Sequence, residues 1–238
     1  MILVGHARRL MNIADEAVDD LARISLRPLT GSLAVGATTT TTEGCFLPIA
    51  LQRFASQYPD VALNLQVDNS STLLRRVRDG DVGVAVIATE IDDPALTTIA
   101  LSPEDQTVIV SSEHPLAGSS VDPHLLRSSV VLLREEGSAT RQYQESLLSQ
   151  WRIPGAHTWT LTSTSAIVAA TAAGLGISCL PVVVCRDALA LGKIAEIHLE
   201  PAPPPRPVSL VRRSDHHLTR AEEHFVVLVQ DALDSLTR

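Results

Sequence analysis

Cysteine, basic charge, catalytic-looking histidine clusters and long apolar runs are all scarce in this sequence, and each scarcity excludes something. Three cysteines, Cys45, Cys179 and Cys185, are an odd number in 238 residues. That is too few for the disulfide framework of a small secreted domain and points to a reducing compartment. The first thirty residues hold no apolar core behind a positive start, and no run approaches the roughly 18 apolar residues of a membrane span. A cytoplasmic protein with no membrane partner is expected. Nineteen Lys and Arg against 27 Asp and Glu give a formal charge of −8, which supplies no basic field for a phosphate backbone. Of eight histidines only His216 and His217 are adjacent, in an expected surface loop, so neither a metal set nor a base beside a nucleophile emerges. Gly174-Leu175-Gly176 lies between a helix and a strand, the reverse of a phosphate-binding fingerprint. No enzyme, cofactor or metal is expected.

What is present is a substantial core. Hydrophobic residues make up 45% and charged residues 19%, enough to bury two lobes near 100 residues each. Leu3, Ala7, Leu10, Ala14, Ala17, Leu21 and Ile24 step by four and three without a break, an a/d seam over three heptads that needs a partner helix. Arg27-Pro28 ends it. Strands are expected at Leu33 to Ala37, Val61 to Val67 and Val82 to Ala88, with helices at Glu43 to Tyr58 and Thr72 to Arg78 between them. A second set reads as strands Thr107 to Val110, Val130 to Leu133 and Ile177 to Leu180, with helices from about Ala139 to Trp151 and Ser165 to Ala173. Strand Val208 to Val211 follows the stiff connector Pro201-Ala202-Pro203-Pro204-Pro205. The last helix opens with the capping-box pattern Thr219-Arg220-Ala221-Glu222. Alternating elements of this kind give an α/β fold of two lobes.

Ligands of open parallel sheets collect outside the carboxyl ends of the strands. Four loops at such ends are rich in hydroxyls: Thr38 to Thr42, Asp68 to Thr72, Glu136 to Arg141 and Thr162 to Ser165. Helix starts there leave unpaired N–H groups and a partial positive charge, suited to a small polar or anionic ligand. Ser and Thr are also ordinary N-caps, so a purely structural role competes with the functional one.

Several motifs resemble the effector-binding region of LysR-type transcriptional regulators. Gly31-Ser32-Leu33-Ala34-Val35-Gly36, Leu47-Pro48, Leu51, Phe54 and Tyr58-Pro59 are similar to its opening. Asp79 to Ala85, His114-Pro115-Leu116-Ala117, Glu136-Gly137-Ser138 with Thr140-Arg141, and Ala172-Ala173-Gly174-Leu175-Gly176-Ile177 before Leu180-Pro181 follow in the family's order, over residues 31 to about 237. The resemblance implies two Rossmann-like lobes with two crossovers, as in type-2 periplasmic binding proteins. A linker and dimerisation helix at 1–28 would precede lobe I at 31–101 plus 212–238 and lobe II at 102–211. It also implies an effector pocket including Thr40, Thr41, Ser70, Ala88, Ser138, Thr140 and Arg141, with Ser163 and Thr164 beside them. Relatives that sense dicarboxylates carry an arginine near the third strand, where this chain has Ala88 and Thr89, which argues against a doubly charged effector. A homodimer or tetramer is expected through Leu3, Leu10 and Ala17 of the seam and Leu47, Leu51 and Phe54 of the first lobe. DNA would be reached only through a winged helix-turn-helix that is missing ahead of residue 1. Two other readings compete: a transporter's solute-binding protein, and a redox-sensing regulator using Cys179 and Cys185.

Overall fold

The computed structural model describes residues 7, 10, 11, 13, 14, 17, 28–44, 46–153 and 155–237. Apolar residues at alternate positions decide which face of each sheet meets which helix. Val84 and Val86 of β3 (Val84–Ile87) join one cluster, while Ala85 and Ile87 join another on the opposite face. Side chains two apart share a sheet face. Both faces of this strand are therefore covered, as in parallel sheets flanked by helices.

The chain divides into two compact units. The first runs to Ser102 and resumes at Pro207, and the second is Pro103–Arg206. In the first unit β1 (Gly31–Thr38) pairs in parallel with β2 (Val61–Asp68) and with β3. The strands β4 (Leu96–Ala100) and β11 (Ser209–Arg213) complete a sheet of order β2-β1-β3-β11-β4, with β11 antiparallel to both neighbours. Because β11 hydrogen-bonds to β3 and β4, it belongs to the first unit, whereas the sequence placed 102–211 in the second. Helices α1 (Thr39–Glu43), α2 (Phe46–Gln57) and α3 (Ser70–Asp79) fill the connections. The last helix, α7 (Arg220–Thr237), packs on α2.

Leu47, Ala50 and Phe54 form one stripe of α2 and are wholly buried in their own unit. Phe54 meets Phe225 edge-on at 6.1 Å and Tyr58 at 5.1 Å. Leu47 and Phe54 thus have no surface to offer a second protomer, which corrects their expected place at an interface. Leu51 is half-buried against the same cluster. Of the expected seam, Leu3 lies outside the described residues, and Leu10 and Ala17 are helical and exposed.

The second unit holds β5 (Gln106–Ser111), β6 (Ser120–Val121), β9 (Ser178–Pro181) and β10 (Ile194–Leu199) in the order β6-β10-β5-β9. Beside them β7 (Val131–Arg134) pairs in parallel with β8 (Thr158–Leu161), and an isolated bridge joins Val131 to Ile177 next to β9. Gly176 allows that approach, since a methyl there would overlap the Val130 carbonyl. Val131 and Leu133 face α4 (Ala139–Gln150), while Leu132 faces α5 (Thr164–Ala172) and α6 (Val182–Ala190). The expected strand Val130 to Leu133 is shifted by one residue to Val131–Arg134, and the residue it gains is a buried arginine.

Candidate effector site

The register within each unit levels the carboxyl ends of its parallel strands. In the first unit Thr38 lies opposite Asp68, and Ala37 opposite Val86. Just past these ends stand Thr40 and Thr41 of α1, Ser70 at the start of α3, and Ala88, all buried. The Thr41 hydroxyl lies 2.9 Å from the Thr38 carbonyl and 3.3 Å from that of Val86. It also lies 3.2 Å from the Thr38 hydroxyl. Thr41 therefore fastens α1 to the ends of β1 and β3. Asn69 caps α3, its side-chain oxygen accepting from Thr72 N–H at 3.0 Å.

In the second unit Arg134 lies opposite Leu161, so α4 and α5 both begin beyond the ends of adjacent parallel strands. Ser138 is the N-cap of α4, yet its side chain makes no capping bond, although the residue is buried. Thr140, in the first turn, accepts from Arg206 at 2.9 Å. Arg141 is committed elsewhere: it donates to the Arg134 carbonyl and the Thr160 hydroxyl, each at 3.1 Å, and pairs with Glu145 at 2.8 Å. Thr164 is fully buried and accepts from Arg134 at 2.7 Å, while Ser163 caps α5 through Ala166 N–H.

Two buried arginines that the sequence did not mark organise this unit. Arg134 grips both carboxylate oxygens of Glu135, at 2.9 and 3.1 Å, and reaches across to Thr164. Bidentate pairing fixes geometry as well as charge. Arg206 pairs with Glu104 at 2.8 Å, and both side chains are nearly inaccessible. Gln144, also buried, accepts from Arg134 N–H at 3.1 Å and donates to Ser178 and to the Cys179 carbonyl, each at 3.0 Å. The available signal was an arginine closing an otherwise apolar strand, and another directly after a proline-rich connector. Neither carries a motif.

Cys179 and Cys185 are buried free thiols. Burial, followed by the neighbouring Cys185, pushes the Cys179 thiol far up, which outweighs the opposing pull of Arg206. A protonated, packed sulfur is a poor nucleophile. The redox reading gains nothing from this geometry. Among the described residues no group of three His, Cys, Asp or Glu is placed to hold a metal, and no helix is long and apolar enough to cross a membrane.

A family model described as the LysR substrate binding domain matches residues 27–234. The chain belongs to this family. It is similar to the HTH-type transcriptional regulator CbbR of Rhodospirillum rubrum, 28% identical over 234 residues, covering 97% of this chain and 76% of that protein. Among solved structures it resembles a cysteine mutant of Corynebacterium glutamicum OxyR with hydrogen peroxide bound. That match has a TM-score of 0.73 and 26% identity, covering 94% of this chain and 72% of that one. The Synechocystis PCC6803 CcmR regulatory domain in complex with 2-PG shares the fold, at TM-score 0.77 and 22% identity over 87% of this chain and 99% of that one. The LysR chain is thus an effector-binding regulatory domain with the two-lobed α/β fold of that family.

Proposed function

We propose that this LysR domain senses a small anionic metabolite rich in hydrogen-bond acceptors at the carboxyl ends of its parallel strands, with the start of α4 in the second unit binding the anionic group. The observation that carries this reading is the chemistry of the α4 start. Thr140 spends a lone pair on Arg206, which leaves its O–H to donate, and the buried Ser138 hydroxyl caps nothing. Glu135, the adjacent carboxylate, is already neutralised by Arg134. Donors at the start of a 12-residue helix, with its partial positive charge, favour a carboxylate or phosphate. In the first unit the strand ends carry the neutral Thr40, Thr41, Ser70 and Ala88, and in the second Ser163 and Thr164 stand at the α5 start. Neutral side chains there suit a single anionic group better than two. That the CcmR relative binds 2-PG supports the same ligand class.

The domain works as a dimer or tetramer in this proposal. Leu63, Leu65 and Val67 lie on one face of the edge strand β2 and grow more exposed along it, and Trp159 is exposed on the edge strand β8. These are surfaces that a second protomer would cover. Coupling of about 1–3 kcal/mol between effector and assembly would suffice to alter DNA binding by a winged helix-turn-helix in a full-length regulator. A thermal-shift panel of carboxylates, phosphorylated acids, neutral sugars and aromatics tests the reading. An acid at a hundred times its Kd should stabilise by about 2.7 kcal/mol, and Ser138→Ala should weaken that response. Response to neutral sugars alone, or a full response in Ser138→Ala, would overturn it.

A further inference from the structure

The chain enters the second unit at Pro103 and leaves it at Arg206, and the two segments are hydrogen-bonded to each other there. Glu104 N–H donates to the Arg206 carbonyl at 2.8 Å, and Arg206 N–H returns a bond to the Glu104 carbonyl at 2.9 Å. The same two residues pair through their side chains at 2.8 Å. Both are held, moreover, by one helix. Thr140 of α4 accepts from the Arg206 guanidinium at 2.9 Å, and Tyr143, one turn further along the same face, donates its phenol to the Pro204 carbonyl at 2.5 Å. Residues three apart on a helix project side by side. The leaving segment is therefore strapped to α4 at two adjacent points, one of them in the turn that carries Ser138 and Arg141.

We propose that Arg206 is a positioning residue. It ties the first turn of α4, through Thr140, to the paired segments by which the chain enters and leaves the second unit, so that a change at Thr140 is felt at Glu104 and Arg206. The bond is made by a charged donor in a buried setting, where it is stronger than a neutral one and its loss is not made good by water. Arg206 also commits one lone pair of the Thr140 hydroxyl, which leaves its O–H available as a donor. Effector engagement of that O–H would bear on the same oxygen that holds Arg206. This places the coupling in the chain's own crossing rather than in the sheet behind it. The effector end of the inference rests on the function proposed above, while the mechanical end does not.

Amide hydrogen exchange on the complete 238-residue chain without ligand tests it. Thr140→Val removes the acceptor while keeping the shape, and should raise exchange at the Glu104 and Arg206 amides about tenfold, with amides of β7 unchanged. Thr140→Ser keeps the acceptor and should restore protection. Tyr143→Phe, which loses only the strap to Pro204, should loosen the Arg206 amide alone or both. Unchanged exchange at both amides in Thr140→Val, or an equal rise through β7 and α4 that betrays general destabilisation, would overturn the proposal. A failed effector screen with a positive exchange result would sink the ligand class and leave the strap standing.

Discussion

A single hydroxyl or methyl decides several features of this fold. Gly83 precedes β3 where Glu222 comes against the backbone, and a methyl at Gly83 would overlap a Glu222 carboxylate oxygen. That carboxylate accepts from Thr219 N–H at 2.9 Å and meets His216 at 2.8 Å, with both of these side chains nearly inaccessible. Gly83→Ala should push Glu222 off both partners and cost about 1–3 kcal/mol, the usual scale for leaving a buried hydrogen-bonding group unsatisfied, read as a lower urea midpoint at unchanged slope. The two raised acids have a different signature. Burial pushes the Tyr143 phenol up, with Cys179 adding to it, as burial and Cys185 do for the Cys179 thiol. An unfolded chain would release these protons near the ordinary values of 9.0 and 10.0, while the folded chain retains them. Unfolding then releases protons, so stability is full below pH 9 and falls as pH rises beyond it. Urea midpoints measured from pH 7 to 10.5 should be flat and then decline, and Cys179→Ala should delay the decline. Iodoacetamide should leave Cys179 unlabelled at pH 7.5 until the protein is unfolded.

At the scale of elements, the α7 capping box read from Thr219 and Glu222 is made in full, since Glu222 N–H also donates back to the Thr219 hydroxyl at 3.3 Å. Thr219→Ala should cost about 1 kcal/mol, seen as a lower thermal midpoint with the same unfolding cooperativity. Elements with strong periodicity were legible for the same reason this box was: the local signal agrees with the tertiary demand. The strands at Val61 and Val82 and the helices from about Ala139 and Ser165 fall within a residue or two of expectation. Elements whose demand is tertiary were not legible. β8 is a four-residue edge strand with three exposed positions, so no apolar alternation marks it. Val182-Val183-Val184 begins α6, a helix opened by the N-cap Pro181, although a β-branched run favours strand by propensity. Arg134 and Arg206 went unread because a buried charge is recognised by its partners, Glu135 and Glu104, rather than by its own neighbours in sequence. Thr40, Thr41, Ser138 and Thr140 stood out because hydroxyls after strands are visible as composition.

For the molecule as a whole, charge and exposed apolar area pull in opposite directions. A net charge of −8 discourages association of identical chains. Yet β2, at the edge of its sheet among the described residues, leaves Leu65 and Val67 at 36% and 47% exposure beside backbone that no described strand pairs. Edge strands of monomeric proteins are usually blunted by charge, proline or a covering element. β2 carries one charged residue, Asp68, at its very end, where Arg76 pairs with it at 3.0 Å and neutralises it. The sheet's other edge, β4, presents alternating half-buried and exposed positions with no such row of large aliphatics. This apolar row is the surface that a second protomer would cover in the assembly proposed above. Leu65→Asp with Val67→Asp should therefore shift sedimentation equilibrium toward monomer, while circular dichroism and the thermal midpoint of the monomer stay near those of the parent. Raising salt should strengthen association of the parent chain, because it screens like charges without weakening apolar burial. An assembly held by ion pairs would respond in the opposite sense.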